Sequence, residues 1–517
     1  MLKPKSPQAS FYGSYLYDKI VPVDHLLRKI NQVVDFSFVR ELVKDKYTPD
    51  FGRPAEDPEF MLRLCLLQYL YGDSDRQVIE NARLNLAYKY FLGLAVDEEV
   101  PDDTTISYFR AIRLGEEKFK QVFQNIVQQC IDKGLVTGKK QIIDSTHIVA
   151  NMAINSLTGL VRLCRHNVLK EVQRQNPQIA EKLGIKEMHF TKQDRFTRLE
   201  EGIEKELNDA AKLLDDVTAE LKENRLTVTP ELQAHLGILE KAVADREDGA
   251  TDRLLSPIDP DARLGRKQHK NWAGYKGHVL VEEDSEIITA VETTPANQLD
   301  GFQLKPLLKQ QEDDHSLVPK ELSGDKAYDY FTNLELLDSK KITGNISLGP
   351  KTNTKGTDLF STDDFIYDEA NDTVTCPAGN LAPYHRRAAF HWDGQSKLGT
   401  IFQFRPEQCN SCHLKAQCHR SDRGRSVYIS YFDPLYRRMK ARMESKEGLE
   451  AYRNRYKVEH KIADLARYCG MRHCRYRGLT KAKIHTLLSA TVSNIKRMAR
   501  LLWSKEDKPP LVVAVAC

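Results

Sequence analysis

The chain has 517 residues, with 77 Lys and Arg against 73 Asp and Glu and a formal net charge of +4. This length is sufficient for two to four domains, each with its own core, and the composition excludes an intrinsically disordered chain. Apolar runs such as Leu511–Cys517 are far shorter than the roughly 20 residues that cross a bilayer. We therefore predict a folded protein without a membrane partner.

Cysteine use indicates a reducing compartment. The sequence contains 10 cysteines, and the segment Met1–Gly13 has no apolar signal core, so a secreted, disulfide-bonded protein is not indicated. We predict a cytoplasmic protein, in which clustered cysteines are more often metal ligands than disulfide partners.

Residues 1–137 have the pattern of a helical domain. Phe60–Leu70 predicts a buried helix, Asp73–Leu92 a second one, and Pro101–Thr105 the cap of a third. Short helices joined by tight polar turns are typical of a helix-turn-helix DNA-binding unit, but a purely structural bundle has the same periodicity.

The pattern changes to that of a strand after residue 138. Gln141–Asn151 contains a short apolar run followed by Asp144, which is typical of a central strand that turns a carboxylate towards a site. Taken alone, an aspartate in such a position is more often a cap or turn residue. His147 faces opposite to Asp144 by alternation, and we expect a hydrogen-bonded core histidine.

A highly charged helical region occupies residues 166–253. Its apolar residues recur at steps of three and four, which predicts one buried stripe on a long helix. Pro230 begins a second helix. We predict a helical hairpin inserted into the fold, with a partner-binding coiled coil as the alternative. The stripe consists of Phe196, Leu199, Ile203, Leu207, Ala210, Leu214, Val217 and Leu221.

Strand character returns in residues 254–350. Gly277–Val281 and Ile287–Thr294 alternate around a polar turn, which predicts a β-hairpin. A helix is expected over Asp300–Gln311. The next short strand ends at Asp325, and Gly324 before it allows a close approach of the backbone.

The third feature is a basic helical segment near the C-terminus. Tyr452, Arg455 and Glu459 step by three and four residues, so one helix would present them on one face. Ala451–Arg500 contains 13 Lys or Arg and only two acidic residues, which indicates a polyanionic partner. An ordinary i,i+4 ion pair on a solvated helix is the simpler interpretation of Arg455 and Glu459.

Three carboxylates from two strands and a helix are what a two-metal phosphoryl-transfer site requires. Mg²⁺ and Mn²⁺ prefer oxygen ligands, and two such ions can hold the attacking and leaving oxygens of an in-line displacement. Asp144 would bridge the two ions, and Asp325 and Glu459 would each complete one of them.

In these features the chain resembles the DDE transposases of bacterial insertion sequences. Within that family it is similar to the branch whose glutamate helix carries tyrosine, arginine, glutamate and lysine at fixed spacing. Tyr452, Arg455 and Glu459 match in type and spacing, whereas Ala466 stands where the lysine is expected. Arg467, the next residue, would take the role of that lysine in DNA binding, together with Tyr452 and Arg455.

The resemblance extends over nearly the whole chain. It implies an α/β fold with a ribonuclease-H-like catalytic core of mixed sheet and flanking helices, in two parts, 138–165 and 254–350, completed by C-terminal helices over 431–505. It also implies that the N-terminal domain binds DNA. The segments that carry the resemblance are Asp144–Thr146, Asp259–Arg263, Gly274–His278 and Gly324–Asp329.

The resemblance implies catalysis at Asp144, Asp325 and Glu459 with two Mg²⁺ or Mn²⁺ ions. Water activated by this cluster would hydrolyse a phosphodiester at the element end, and the freed 3′-hydroxyl would attack target DNA. The expected partners are double-stranded terminal inverted repeats and target DNA, bound by a homodimer. Two alternatives are a transposase-derived DNA-binding protein without strand transfer and a stand-alone metal nuclease.

Residues 351–430 predict a Cys-rich insertion. Cys376, Cys409, Cys412 and Cys418 include a close CxxC pair, which resembles a structural zinc site that would fix a loop-rich segment. Reduced, unliganded thiols are the alternative, because the interval after Cys376 is longer than a compact zinc knuckle needs.

The remaining candidates have structural interpretations. We expect Asp329 to cap a helix rather than to bind metal, and Trp272 and Tyr275 to pack rather than to stack on a base. The other cysteines are expected in the core, among them Cys65, Cys130, Cys469 and Cys474.

Overall fold

A computed structural model of the chain describes residues 11–48, 55–184, 200–223, 225–246, 250–267, 270–349, 359–392 and 395–503. Two residues of the predicted stripe, Phe196 and Leu199, and the C-terminal segment Leu511–Cys517 lie outside these ranges.

The N-terminal region is helical, as predicted. Asp57 accepts a hydrogen bond from the Glu59 backbone and Pro58 occupies the first turn of the fourth helix, which explains where that helix begins. The helices are α1 (Phe11–Ile20), α2 (Leu26–Val33), α3 (Phe38–Leu42), α4 (Pro58–Tyr71), α5 (Asp75–Leu84), α6 (Leu86–Leu92), α7 (Asp103–Tyr108) and α8 (Gly115–Asp132), with a π-helical turn over Phe109–Leu114.

The prediction of a single helix over Asp73–Leu92 is wrong. The segment contains two helices, α5 and α6, because Asn85 leaves helical conformation and its side chain caps the backbone N–H groups of Ala87 and Tyr88. Asparagine competes with the helix in this way through its short polar side chain.

A six-stranded sheet follows the N-terminal helices. Its strands are β1 (Lys140–Val149), β2 (Arg263–Lys267), β3 (Lys270–Glu282), β4 (Ile288–Pro295), β5 (Glu321–Gly324) and β6 (Thr343–Ile346). Strand β1 is central: it pairs antiparallel with β3 and parallel with β5. Strands β2 and β4 both pair antiparallel with β3, and β6 pairs parallel with β5. The predicted hairpin is therefore confirmed as β3 and β4.

Helices cover both faces of the sheet. Helices α13 (Leu304–His315) and α14 (Phe331–Ser339) pack on the face that carries Ile143 and Leu322. The opposite face, with Ile142 and Val279, packs against the C-terminal helices and shares one continuous core with the N-terminal helices. The sequence boundary near residue 137 is therefore not a break in packing.

The helical insertion has a hydrophobic core of its own. Its helices are α9 (Leu157–Gln175), α10 (Pro177–Lys182), α11 (Glu200–Lys222) and α12 (Pro230–Ala244). Ala210, Leu213 and Val217 of α11 are buried among residues of α9 and α12, so the apolar stripe is covered from within the chain. The packing unit begins with α9, before the predicted boundary at residue 166.

The Cys-rich region forms a small β-structure. Its elements are β7 (Ile366–Asp368), β8 (Thr373–Thr375), β9 (Tyr384–Trp392), β10 (Gln395–Gln403), α15 (Pro406–Asn410), α16 (Lys415–Cys418) and β11 (Ser426–Ser430). Strands β9, β10 and β11 form an antiparallel sheet, whose core includes Phe402 and Val427.

Four helices complete the chain: α17 (Asp433–Glu444), α18 (Lys446–Arg453), α19 (Tyr456–Tyr468) and α20 (Leu479–Leu502). The aspartates of the segment Asp259–Arg263 stabilise the N-terminus of α20, because Asp259 accepts from the Gly478 N–H and Asp261 from the Leu479 N–H. Within the described ranges, no helix is both long enough and apolar enough to traverse a bilayer.

The prediction of one uninterrupted helix through Tyr452, Arg455 and Glu459 is wrong. Helix α18 ends at Arg453, and α19 begins at Tyr456. The Asn454 side chain donates a 2.9 Å hydrogen bond to Glu283 in the β3–β4 turn, and this tertiary contact holds the break between the helices.

Candidate active site

Asp144 lies in the middle of the central strand, with its carboxylate towards the C-terminal helices. The residue is 8% exposed. Its Oδ1 accepts a 2.7 Å hydrogen bond from the Ser145 backbone N–H. Burial raises the pKa of Asp144 to about 6, and the charge of Asp325 acts in the same direction. A buried carboxylate with a raised pKa beside a second carboxylate is a functional-site candidate on physical grounds.

Asp325 directly follows β5, which pairs in parallel with β1, so the two aspartates belong to neighbouring strands. Its side chain accepts a hydrogen bond from the Ala327 N–H and caps the 3₁₀ turn Lys326–Tyr328. Gly324 is tightly packed: a Cβ there would lie 3.0 Å from Ile143 and 3.2 Å from Tyr328. The predicted close approach of the backbone is therefore present.

Arg455 joins the third carboxylate to the first. Its Nη1 lies 3.3 Å from Asp144 Oδ2, and its Nη2 lies 2.6 Å from Glu459 Oε1. Burial alone would lower the pKa of the Arg455 guanidinium. The negative charges of Asp144 and Glu459 outweigh this effect and raise that pKa, and Asp325 contributes in the same direction. One guanidinium thus stands between two carboxylates, within electrostatic range of the third.

The remaining predicted DNA-binding residues differ in position. The Tyr452 ring centroid lies 5.8 Å from the Arg455 guanidinium carbon, so Tyr452 packs beside the site. Arg467 is exposed in the last turn of α19. Among the described residues, Arg467 has no hydrogen bond or ion pair with the carboxylates or with Arg455.

The carboxylates are not in a ready metal-binding arrangement. Within the part of the chain that the structure describes, no group of three or more His, Cys, Asp or Glu side chains stands in positions that could hold a metal ion. The Arg455 guanidinium bridges Asp144 and Glu459 instead.

Sequence reasoning missed a set of polar residues beside Asp144. The Ser145 hydroxyl donates to Asp300 Oδ2 at 2.9 Å, and Lys276 Nζ lies 2.8 Å from Asp300 Oδ1. Ser145 and Lys276 lie in two segments that the sequence marks only by their resemblance to the DDE transposases. Nothing in the local pattern connects them with Asp300, which is 155 residues after Ser145.

Two of the lesser predictions have different outcomes, and the one for His147 is wrong. His147 is half-buried rather than a core histidine: it contacts Arg472 and the Trp272 ring, and burial lowers its pKa to about 4. Asp329 is a cap, as predicted: it is the C-cap residue of the 3₁₀ turn Lys326–Tyr328 after β5, and its side chain accepts a 2.7 Å hydrogen bond from the Gly349 N–H.

The packing interpretations are confirmed for the aromatic residues and the other cysteines. Tyr275 is fully buried, and Trp272 donates a hydrogen bond to the Tyr275 carbonyl. The buried cysteines of the described chain are Cys65, Cys130, Cys164, Cys469 and Cys474.

The four cysteines of the Cys-rich region line one small cavity of about 20 Å³, but among the described residues they do not form a group placed to hold a metal ion. Each is half-buried and free of disulfides. Burial raises the pKa of the Cys418 thiol, and the other three thiols act in the same direction. Cys409 Sγ accepts a hydrogen bond from the Arg425 backbone N–H, and Cys412 Sγ accepts one from the Leu414 backbone N–H. The four are Cys376, Cys409, Cys412 and Cys418.

Comparison with known families matches two segments of the chain. A family described as "Transposase domain (DUF772)" matches residues 15–111, and one described as "Transposase DDE domain" matches residues 375–499. The second segment contains Glu459, Arg455 and the cysteine cluster. Asp144 and Asp325 lie between the two matched segments.

The two matched families agree with the resemblance that the sequence carries. The DDE domain is that of enzymes that use divalent metal ions to act on DNA. The two matches support a DDE transposase of insertion-sequence type and the function of a DNA transposase, and the DDE domain indicates a metal-dependent enzyme.

Proposed function

We propose that this transposase cleaves the ends of an insertion sequence and joins them to target DNA at a single centre formed by Asp144, Asp325 and Glu459. The observation that carries the proposal is the double ion pair of Arg455 with Asp144 and Glu459, in range of Asp325. Arg455 thus joins a carboxylate of β1 to one of α19, with Asp325 after β5 in electrostatic range, although the three are far apart in sequence.

The topology supports a ribonuclease-H-like core. Three antiparallel strands, β4, β3 and β1, are followed across the sheet by the parallel strands β5 and β6. Helices α13 and α14 connect the later strands. Asp144 on the central strand and Asp325 after its parallel neighbour are then the two aspartates of that core.

The side chains fit a divalent cation in chemical type. Asp144, Asp325 and Glu459 supply hard oxygen donors, and the same place already attracts the cationic guanidinium of Arg455. These carboxylates would hold two Mg²⁺ or Mn²⁺ ions, which supply charge stabilisation to the attacking and leaving oxygens of a phosphoryl transfer. Arg455 would then be free to bind a phosphate of the cleaved strand.

DNA binding would use the basic C-terminal helices. Tyr452 and Arg455 lie beside the carboxylates and would contact the backbone of the cleaved end. Arg467, exposed at the end of α19, would contact DNA further from the reacting bond. The N-terminal helices would bind the terminal inverted repeats. We expect the chain to act in the cytoplasm as a homodimer on DNA, since two ends must be processed together.

Nicking of DNA that contains an element end tests the proposal. Asp144→Asn, Asp325→Asn and Glu459→Gln should each abolish Mg²⁺-dependent nicking while the circular dichroism spectrum stays that of the wild type. Glu447→Gln is the matched control, because Glu447 is an exposed carboxylate on the preceding helix α18. Retained nicking by folded variants of the three carboxylates would refute the assignment.

We also propose that the Cys-rich region holds a structural zinc ion. Four thiols line one cavity large enough for a single water-sized particle, and backbone N–H groups already point to two of the sulfurs. Four thiolates are a ligand set that suits tetrahedral Zn²⁺ in chemical type. The core of this region is small, so a metal would contribute much of its stability.

Metal analysis of the purified protein tests the zinc proposal. The wild type should contain about one zinc per chain, and Cys412→Ser should lose it and unfold the region at lower temperature. Cys130→Ser is the control, since Cys130 is a buried thiol of α8. The proposal would be overturned if the wild type is purified without zinc, does not bind added zinc and is not stabilised by it.

A further inference from the structure

Asp300 is a fourth carboxylate beside the catalytic strand, and it is held firmly. It begins the 3₁₀ turn Asp300–Gln303 that follows β4. Its Oδ1 pairs with Lys276 Nζ at 2.8 Å, and Lys276 also donates to the Gln298 carbonyl. Both charged side chains are mostly buried, with 15% exposure for Lys276 and 21% for Asp300. The position of Asp300 is therefore fixed by a desolvated ion pair.

A chain of hydrogen bonds leads from Asp300 to Asp144. Asp300 Oδ2 accepts the Ser145 hydroxyl at 2.9 Å. The backbone N–H of the same Ser145 donates to Asp144 Oδ1 at 2.7 Å. Ser145 makes both bonds, so Asp300 and Asp144 are hydrogen-bonded to the same residue of β1.

A second connection leads from the same turn to Asp325. The buried Asn333 side chain donates to the Gly301 carbonyl at 2.9 Å and to the Tyr328 carbonyl at 3.0 Å. Gly301 follows Asp300, and Tyr328 ends the turn that Asp325 caps. The turn of Asp300 is thus joined to the surroundings of both catalytic aspartates.

Two polar atoms nearby are buried without hydrogen-bond partners among the described residues, Tyr328 Oη and His278 Nδ1. His278 Nδ1 is 4.0 Å from Asp300 Oδ1. Burial and the charges of Asp144, Asp300 and Asp325 raise the pKa of Tyr328 well above its ordinary value. Unsatisfied buried groups destabilise a fold, so their presence here fits a region arranged for function rather than for stability.

We propose that Asp300 is a positioning residue of the catalytic site. It fixes the carboxylate of Asp144 through Ser145, and its turn fixes the turn that follows Asp325. Residues that orient metal ligands in this way commonly change metal affinity by 10- to 100-fold when they are removed. The inference rests on the proposed function of Asp144 as a metal ligand.

Mn²⁺ binding to the full-length protein without DNA, followed by electron paramagnetic resonance, tests this inference. Ser145→Ala and Asp300→Ala should each weaken Mn²⁺ binding by about 10- to 100-fold. Ser145→Thr keeps the hydroxyl and should bind Mn²⁺ within about threefold of the wild type. Binding of end DNA in EDTA should be unchanged in all three variants, and thermal unfolding checks that each is folded.

Ser107→Ala is the matched control. The Ser107 hydroxyl donates to Asp75 at 2.9 Å, so this variant removes the same kind of hydrogen bond from the N-terminal helices and should leave Mn²⁺ binding unchanged. If folded Ser145→Ala binds Mn²⁺ with wild-type affinity, at a site that Asp144→Asn abolishes, the positioning role is overturned and the proposed function is not. Mn²⁺ binding that does not depend on Asp144 would instead overturn the proposed function, and the positioning role with it.

Discussion

Replacing Asp144 by asparagine should stabilise the protein at neutral pH while it removes activity. Burial and the charge of Asp325 raise the pKa of Asp144 from 3.8 to about 6, so ionising this carboxyl costs folding free energy. The difference of roughly two pKa units corresponds to about 3 kcal/mol. Asparagine resembles the protonated carboxyl in shape and lacks this cost.

The pH dependence of the effect follows from the sign of the shift. Below the unfolded pKa of Asp144, the carboxyl is protonated in both states and the two proteins should be equally stable. As the pH rises from the unfolded pKa through about 6, the carboxyl ionises in the unfolded wild type before it ionises in the folded one, so the free energy of unfolding of the wild type falls. The variant has no such carboxyl and does not lose stability in this way. Asp144→Asn should therefore be more stable by up to about 3 kcal/mol at pH 7.5, with the difference vanishing near pH 4.

Urea unfolding in EDTA at several pH values measures this difference. Tryptophan fluorescence is a suitable signal, since Trp272 lies on β3 and contacts His147 of β1. Asp75→Asn is a control of opposite sign: burial alone would raise the pKa of Asp75, but Arg110 outweighs it and lowers that pKa to about 2. That variant should be destabilised at pH 7.5. A destabilised Asp144→Asn at pH 7.5, or a difference independent of pH, would show that burial does not destabilise the ionised Asp144 carboxylate.

Two further predictions concern the core and the site cation. Burial, with the charge of Arg475, lowers the pKa of His485 to about 3, so the folded protein favours the neutral imidazole and its stability falls as the pH drops below the unfolded pKa of 6.5. Between pH 7.5 and pH 5.5 the wild type should lose about 1.4 kcal/mol of unfolding free energy relative to His485→Gln, as measured by urea unfolding. Equal losses in the two proteins would contradict this. Arg455→Ala removes the cation that pairs with Asp144 and Glu459, so the affinity for Mn²⁺ without DNA should rise several-fold while the binding of end DNA weakens. Titration calorimetry measures the Mn²⁺ affinity. Unchanged or weaker Mn²⁺ binding would show that the guanidinium does not compete with the metal for these carboxylates.

Local pattern was sufficient for several elements. The apolar run before Asp144 predicts β1, and the alternation on either side of the polar turn predicts the β3–β4 hairpin, because strand periodicity and turn chemistry are local properties. The four cysteines that the sequence singles out line one cavity, and their role as zinc ligands stays a prediction.

Other features depend on contacts that a single sequence does not display. The segment from Tyr452 to Glu459 has helical spacing, yet the hydrogen bond from Asn454 to Glu283 interrupts it, and these residues are 171 positions apart. The bond between Ser145 and Asp300 likewise joins distant segments. Tertiary contacts override helical propensity in the first case and create an unmarked polar cluster in the second.

The most direct test of the central claim is a joining assay with pre-cleaved element ends. A duplex that already carries the terminal 3′-hydroxyl is incubated with supercoiled plasmid and Mg²⁺, and joined products are separated on a gel. We predict that the wild type joins ends to the plasmid and that Asp144→Asn, Asp325→Asn and Glu459→Gln each bind the end but form no joined product. Joining by any of these folded variants would contradict the account, as would a wild type that nicks ends but never joins them.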